Sequence, residues 1–245
     1  MLKVVRIAGH SFVGDWVNER SVVLDFGMNH AVFSTRMVGL YGCHVHGAEA
    51  HPGLHDALPR HPNIHARHVA IGGGPGVLRL SLYSSHCASG VFSQLETGAA
   101  TVDVPTVGLG AFCELAGVTD VALLKCDIEG SELAMLAAAS DEQLLRLGQI
   151  TVEFHDFLDP AQRPAAHAQI ERLERLGFWA IDMSKNRMDV LLINQRRYPL
   201  GVLGKAQVVW MKYWRALRRI VRRCFGIVDT GENGYRDAQL HHGTT

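Results

Sequence analysis

Apolar positions along the chain follow two patterns, short runs rich in β-branched residues and longer segments with apolar residues at helical spacing. The short runs predict strands at 21–26, 44–49, 64–71, 77–83, 121–127, 149–155, 178–182 and 190–194. The longer segments predict helices at 31–40, 53–58, 107–117, 131–139 and 161–176. Strands separated by helices of this length predict an α/β fold, with a Rossmann-like, doubly wound and mostly parallel sheet between two helical layers.

Two segments between these elements predict connections. The Gly-Gly-Gly-Pro-Gly run at 72–76 is a turn, and it favours a hairpin between the strands 64–71 and 77–83. The small and polar residues of 84–98 lack periodicity and predict a loop over a site. With 245 residues, the chain can form one substantial core and a short appendage.

Composition and charge narrow the class of protein. Hydrophobic residues make up 47% and charged residues 20% of the chain, as in ordinary globular enzymes. The 24 basic and 24 acidic side chains balance, but residues 205–223 contain seven Lys or Arg and no acid. Nucleic-acid-binding proteins usually spread their basic residues over a face, so we expect no nucleic-acid partner.

The cysteines and the first residues indicate a cytosolic protein. Five cysteines are scattered without any C-x-x-C spacing, which is typical of reduced thiols. The N-terminal segment has no apolar run long enough for a signal peptide, and no stretch has the length and hydropathy of a membrane span. We therefore expect a cytoplasmic location.

Acidic residues stand at the ends of predicted strands, where an α/β sheet binds its ligands. Asp25 is followed by Gly27, which lets the backbone turn beside a ligand, and then by a helix N-terminus that favours an anionic group. Glu49 ends the next strand and can accept hydrogen bonds from both hydroxyls of a ribose. That geometry serves NAD and S-adenosylmethionine alike, but the absence of G-x-G-x-x-G argues against a dinucleotide.

The segment Lys-Cys-Asp-Ile-Glu-Gly-Ser-Glu at 125–132 is the most informative one. It delivers Asp127 and Glu129 to the end of a buried strand, and two such carboxylates repel each other unless they face a cation. The sulfonium and ammonium groups of S-adenosylmethionine are suitable cations, as is a bound metal ion. Glu132 is expected in the first turn of the next helix, where it interacts with the helix dipole.

These residues resemble the FkbM family of methyltransferases. The segments VVLDFGMNHAVFS, GAEAHP, HVAIGGGPG, LLKCDIEGSE and ITVEFH occur in the order and spacing of that family, over roughly residues 20 to 195. The resemblance implies a class I S-adenosylmethionine-dependent methyltransferase domain, which we expect over residues 1–200. It also implies O-methylation of sugars or polyketide-type secondary metabolites.

The resemblance further implies the roles of individual residues. It assigns the methionine end of the cofactor to Asp25, Gly27 and Asn29, the ribose to Glu49, the adenine to Val69 and Ala70, and the methyl group and acceptor to Asp127 and Glu129. Two positions depart from the family pattern. Met28 stands where a small residue or glycine is common, and Ala31 stands where a glycine is common.

Methyl transfer to a hydroxyl needs an aligned acceptor and a base that removes its proton. His155 is our first choice of base, because the pKa of imidazole suits proton transfer near neutral pH, and Asp127 or Glu129 is the second. A divalent ion held by Asp127, Glu129 and Glu153 or His155 is an alternative that we do not favour. Prolines interrupt the seven histidines of 44–68, which we interpret as solvated side chains rather than a metal site.

Residues 205–223 predict an amphipathic helix with aromatic and aliphatic side chains on one face and basic side chains on the other. Two interpretations stay open: the apolar face packs on the core or on a second subunit, or it lies on an anionic membrane surface. The residues 229–245 are polar and predict a frayed end, so we expect the helix and this tail to form a unit over 201–245.

The predicted function is S-adenosylmethionine-dependent O-methyl transfer to a hydroxyl of a sugar, a glycan or a secondary metabolite. Two alternatives stay open at this point. One is an NAD- or nucleotide-binding enzyme with the same architecture, and the other is a non-catalytic scaffold with a membrane-binding helix. The sequence does not identify the acceptor.

Overall fold

A computed structural model describes residues 2–82, 100–184 and 186–224. The strands are β1 (Val4–Ile7), β2 (His10–Val13), β3 (Val22–Phe26), β4 (His44–Ala48), β5 (Ile64–Arg67), β6 (Ala70–Ile71), β7 (Gly76–Leu82), β8 (Ala100–Val107), β9 (Val121–Cys126), β10 (Leu147–Val152), β11 (Phe178–Asp182) and β12 (Val190–Asn194). The helices are α1 (Val32–Tyr41), α2 (Pro52–Asp56), α3 (Leu109–Ala116), α4 (Glu132–Ala138), α5 (Asp141–Leu145), α6 (Arg163–Arg175) and α7 (Val202–Cys224). The predicted loop 84–98 and the predicted frayed end 229–245 lie outside the described residues.

Seven strands form the main sheet in the order β11-β12-β10-β9-β3-β4-β5. They run parallel to one another except β12, which is antiparallel to both of its neighbours. From β3 the chain moves outward through β4 and β5 and then returns to β9 on the other side of β3, so the strand order reverses between β3 and β9. This arrangement confirms the predicted doubly wound, mostly parallel α/β sheet.

Each face of the main sheet buries its own apolar core. Successive side chains of a strand point to opposite faces, so Leu24 of β3 packs with the residues of α3, α4, α5 and α6. Val23, its neighbour, packs on the other face with residues of α1, of the hairpin β1–β2 and of α7. The short apolar runs of the sequence are strands covered on both faces, which explains why they lack alternation.

A second sheet, in the order β6-β8-β7, extends from the end of β5. β8 has no counterpart among the predicted strands, because its Asp103 and Pro105 are uncommon in strands. The predicted hairpin between 64–71 and 77–83 is wrong, since β7 pairs with β8 and the segment 64–71 divides into β5 and β6 in different sheets. The helix predicted from 107 begins at Leu109, because Val107 is the last residue of β8.

The hairpin β1–β2, also missed, closes the edge of the core near the strand ends. Its turn holds Ala8 and Gly9 in the left-handed region. The Val13 amide donates to Gln149 Oε1 (2.8 Å), and the Ser11 amide donates to Asp189 Oδ1 (2.9 Å). These bonds fix β2 across the main sheet and bring the first residue of β2 to the end of β9.

As far as its side chains are described, the helix α7 contacts the body of the protein through one side. Val208 is fully buried and Met211 packs against the same core, whereas Trp210 and Trp214 are exposed. The described aromatic side chains of the predicted apolar face therefore do not pack on the core of this chain, and a second subunit and a membrane surface both stay open as interpretations. The unit predicted over 201–245 stays a prediction. Among the described residues, no helix combines the length and apolar character that crossing a bilayer requires.

Candidate active site

The candidate site lies where the strand order reverses, at the carboxyl ends of β3 and β9. Two loops meet there, residues 27–31 after β3 and residues 127–131 after β9. The Asp127 amide donates a hydrogen bond to the Phe26 carbonyl (3.1 Å). Gly27 has a φ of +79°, and a Cβ at this position would lie 1.9 Å from the Asp127 carbonyl oxygen. Glycine is therefore required for the two loops to come this close.

The two loops border a cleft of about 660 Å³, a volume that includes its part open to solvent. Residues singled out by the sequence line much of this cleft: Gly27, Asn29, Glu49, Val69, Ala70, Asp127 and Glu129. Asp25 and His155 do not line it, and both are buried next to lining residues. Residues that are far apart along the chain thus share one cleft.

Asp25 lies beneath the loop that follows β3. Its carboxylate is fully buried, accepts a hydrogen bond from the Ser34 hydroxyl (2.6 Å) and lies 3.2 Å from the Lys125 ammonium. The register of the two parallel strands places Asp25 directly opposite Lys125. The structure therefore corrects the expectation that Asp25 lines the cofactor cleft. Asp25 is buried behind the loop, where its carboxylate contacts Ser34 and Lys125.

Lys125 is a further residue of the site that was not predicted from the sequence. Its ammonium donates to the carbonyls of Phe26 (3.2 Å) and Gly27, and it lies 3.9 Å from Asp127 Oδ2. Burial lowers the pKa of Lys125, but Asp25 and Asp127 outweigh burial and raise the pKa above its usual value. A lysine inside an apolar strand could have revealed this role, since a buried ammonium needs acids beside it.

The loop after β3 is built from left-handed backbone at Gly27, Asn29 (φ 52°) and Ala31 (φ 55°). Asn29 Oδ1 is buried and receives no hydrogen bond from the described residues, so it is available to a ligand donor. At Ala31 this conformation costs about 1 kcal/mol relative to glycine. Met28 occupies the space above Gly47, where a Cβ would lie 2.3 Å from the Met28 sulfur. The two departures from the family pattern are thus tolerated for different reasons. Ala31 accepts a small local strain, and Met28 fits because Gly47 has no side chain.

Glu49 follows β4 and faces the cleft. Its carboxylate oxygens accept hydrogen bonds from the backbone amides of Asn29 (2.7 Å) and His51 (2.8 Å). Burial raises the pKa of Glu49, and the two amides and Lys125 oppose this effect only in part. Each oxygen keeps a second lone pair. The backbone therefore holds the carboxylate in place while leaving it able to accept hydrogen bonds from ribose hydroxyls.

Another wall of the cleft is apolar and comes from the second sheet. Val69 and Ala70, which the resemblance assigns to the adenine, lie on this wall with Leu78 and Leu80 of β7. Leu80 is buried against Ala70 and Val104. Leu78 and Leu80 were not predicted as site residues, because β7 is held against the cleft by β8, which was not predicted either. An apolar wall near carboxylates suits a ligand with a flat ring at one end and a cation at the other.

His155, just after β10, is enclosed by three carboxylates. Its Nδ1 lies 2.9 Å from Glu132 Oε1, and its Nε2 lies 3.2 Å from Glu129 Oε2 and 3.8 Å from Asp127 Oδ1. Burial lowers the pKa of His155, but Glu129 and Glu132 outweigh burial and raise the pKa to about 11. Both ring nitrogens therefore carry protons at neutral pH and donate to carboxylates.

This geometry contradicts the expectation that His155 is the base. A base near neutral pH needs an imidazole with a pKa close to neutrality, whereas an imidazolium has no lone pair that can accept a proton. His155 instead holds the carboxylate of Glu129 at the edge of the cleft. Glu132 begins α4 as expected, and it also accepts hydrogen bonds from the amides of Ile128 (2.9 Å) and Gly130 (3.1 Å).

Asp127 joins the two groups of buried charges. Its Oδ2 lies 3.4 Å from His10 Nε2 and 3.9 Å from the Lys125 ammonium. Burial raises the pKa of Asp127, but Lys125, His10 and His155 outweigh burial and hold the pKa well below its usual range. Asp127 is therefore ionised where it lines the cleft. His10 was not predicted as a site residue, because no pattern predicted the hairpin that carries it.

Two overlapping sets of side chains at this site come close enough to hold a metal ion. One set is His10, Asp127 and Glu153, and the other is Asp127, Glu132 and His155, with the ligand atoms of each set within 4.8 Å of one another. Within the described residues, the histidines of 44–68 form no such set. The divalent ion that the sequence analysis considered but did not favour would belong at Asp127.

The histidines of 44–68 are not all solvated, which corrects that interpretation. His51 is buried, and its Nδ1 accepts a hydrogen bond from the Leu54 amide at the start of α2 (3.2 Å). His46 lies beside His65 with 4.7 Å between the ring centroids. Burial, together with the neighbouring positive charges, lowers the pKa of His46 to about 4, so this imidazole is neutral at pH 7.

One known protein family matches most of this chain. The family model described as "Methyltransferase FkbM domain" matches residues 22–179. The matched range begins at β3, includes both loops of the candidate site and ends in β11. Among curated proteins, no sequence matches this chain.

Solved structures similar to this chain include three with low sequence identity. The fibrillarin pre-rRNA processing protein of Methanococcus jannaschii is 14% identical, with a TM-score of 0.41 over 78% of this chain and 70% of that chain. A TehB-like SAM-dependent methyltransferase of Corynebacterium glutamicum is 12% identical, with a TM-score of 0.36 over 71% and 80%. The precorrin-6y C5,15-methyltransferase of Geobacter metallireducens is 14% identical, with a TM-score of 0.37 over 72% and 80%. A likeness of this degree has no bearing on the substrate of this chain.

Proposed function

Because this chain belongs to the FkbM family of methyltransferases, we propose that it methylates a hydroxyl oxygen of a sugar, a glycan or a secondary metabolite. The family match and the strand order make the chain an S-adenosylmethionine-dependent methyltransferase of the class I type. The oxygen specificity and the acceptor class are the proposal. The observation that supports it most is the carboxylate of Glu129, which borders the cleft beside the ionised Asp127.

The residues of the cleft fit S-adenosylmethionine. The buried Asn29 Oδ1 and the ionised Asp127 suit its ammonium and sulfonium groups, and Glu49 suits its ribose. The apolar wall that includes Val69 and Leu78 suits its adenine. When bound, the cofactor supplies a methyl group activated by a positively charged sulfur.

We assign to Glu129 the role of the base that removes the proton from the acceptor hydroxyl. Its side chain is 39% exposed, lines the cleft and lies 3.2 Å from the protonated His155. An alcohol oxygen becomes strongly acidic as its new bond to carbon forms, so a carboxylate is a sufficient base at that moment. His155 acts as a positioning residue, because it holds Glu129 and cannot itself take the proton.

The test is a methyl-transfer assay with the full chain and matched acceptors that carry a hydroxyl, an amino or a methoxy group at one position. We expect product from the hydroxyl compound only. Glu129→Gln should lower kcat by about 100-fold or more while the affinity for S-adenosylhomocysteine changes little, because the amide keeps the shape of the side chain. Glu142→Gln, at an exposed acid of α5, is the matched control and should behave as the wild type.

Three results would contradict the proposal. Methylation of the amine in preference to the hydroxyl would exclude the oxygen specificity. A full kcat in Glu129→Gln would exclude the assigned base. Tight binding of S-adenosylhomocysteine without turnover on any hydroxyl acceptor would instead favour the non-catalytic scaffold.

A further inference from the structure

The outer face of α7 carries apolar side chains that the described body of the protein leaves uncovered. They recur at helical spacing and are exposed: Leu203, Trp210, Tyr213, Trp214, Leu217 and Val221. The rings of Trp210 and Trp214 stack, with 6.2 Å between their centroids. The helix is attached by its other side, where Val208 is fully buried. A fixed helix therefore presents an aromatic ridge to its surroundings, which is uncommon unless something binds there.

Basic side chains accompany this ridge. The segment 205–223 contains seven Lys or Arg and no acid. The Lys212 ammonium lies 5.8 Å from the centroid of the Tyr213 ring. The Arg218 guanidinium lies 6.0 Å from the centroid of the Trp214 ring. Aromatic rings with cations close to them suit the boundary between lipid headgroups and acyl chains, where each group finds its preferred surroundings.

We propose that α7 docks the protein on an anionic lipid surface, with the aromatic ridge in the interfacial layer and the basic residues at the phosphate groups. Charge favours lipid over a second copy of the chain. Two such helices face to face would bring two uniformly basic segments together. The residues outside 205–223 contain seven more acids than basic residues, so an anionic surface attracts α7 and repels the rest of the chain, which orients the protein.

The test uses the full chain and sedimentation with vesicles of phosphatidylcholine, alone or mixed with about 30% phosphatidylglycerol. We expect binding to the mixed vesicles to be about tenfold or more tighter than to phosphatidylcholine alone, and to weaken as salt screens the basic residues. Trp210→Ser should weaken binding to the mixed vesicles by about tenfold. Leu40→Ser, at a leucine of α1 that is 61% exposed, is the matched control and should bind as the wild type.

The melting temperatures of both variants are compared with that of the wild type. Equal values show that a loss of binding comes from the changed surface and not from unfolding. Equal binding to both kinds of vesicle would overturn the role of charge. An equal loss in Leu40→Ser would overturn the role of the ridge. A dimer detected by light scattering, abolished by Trp210→Ser in a protein that binds no vesicles, would make α7 an interface between copies and overturn the proposal. None of these results depends on the acceptor of the methyl group.

Discussion

The cleft at the ends of β3 and β9 and the outer face of α7 reverse the usual distribution of residues in opposite ways. The cleft region buries charge, with Lys125 only 4% exposed and Glu132 only 1% exposed. The outer face of α7 exposes apolar surface, with Trp210 66% and Tyr213 63% exposed. Buried charges and large exposed apolar groups are the two departures that carry information about function.

The two regions differ in what stabilises them. At the cleft, every charge is held by another charge or by the backbone, as Asp25 is by Lys125 and Glu49 is by two amides. The arrangement is therefore set before a ligand arrives. Among the described residues, the ridge on α7 has only the helix itself to order it. Substitutions of the buried charges around the cleft should thus affect both stability and ligand binding, whereas substitutions on the ridge should affect binding to a partner alone.

The largest effect is expected from Lys125→Met. It leaves Asp25 and Asp127 close together without their cation, and should lower the free energy of unfolding by about 3–5 kcal/mol at neutral pH. Urea denaturation measures this loss. Adding Asp25→Asn should restore part of the stability, because it removes one uncompensated charge. A double variant as unstable as the single one would show that Lys125 acts by packing and not by charge.

A similar but more local effect is expected from Gly27→Ala. The new Cβ would meet the Asp127 carbonyl and push the two loops apart, so affinity for S-adenosylhomocysteine should fall by about 100-fold or more, or about 2.8 kcal/mol. Isothermal titration calorimetry measures the affinity. The control is Gly39→Ala in α1, where a Cβ meets no atom within 4 Å. The affinity of Gly39→Ala should equal that of the wild type. An equal loss of affinity in both variants would contradict the claim that a Cβ at position 27 pushes the two loops apart.

The charge of His155 predicts a pH dependence. Its pKa rises from 6.5 to about 11 on folding, so its protonated form stabilises the protein fully below about pH 6.5 and loses that effect as the pH rises towards 11. The stability advantage of the wild type over His155→Gln should therefore fall by about 1 kcal/mol between pH 7 and pH 8. Urea denaturation at both pH values measures it. The control is His44→Gln, at an exposed histidine. A stability difference between the wild type and His155→Gln that grows with pH would contradict a protonated His155.

The smallest effect is expected on the ridge of α7. Trp210→Ala should change the free energy of unfolding by no more than about 0.5 kcal/mol, because the side chain is exposed. Val208→Ala, two residues earlier on the buried side, should lower it by about 2 kcal/mol. Thermal and urea unfolding compare the two variants. A large loss in Trp210→Ala would show that the ridge packs on the body and would end the contrast between the two regions.

The sequence alone was sufficient for the α/β fold, the strands of the main sheet and the family. Buried strands are short continuous apolar runs and their helices have apolar residues at regular spacing, so both can be recognised locally. Because parallel strands end at one edge of the sheet, strand-end residues such as Glu49 and Asp127 were expected to meet, and they line one cleft.

Only the tertiary structure decided how β7 and β8 pair, where His10 lies and which groups are charged. Asp25 looks like a ligand contact until the strand register places Lys125 opposite it. His155 looks like a base until Glu129 and Glu132 surround it. The physical reason is that a pKa depends on the distances between charges, and those charges come from segments whose separation in space the local sequence does not encode.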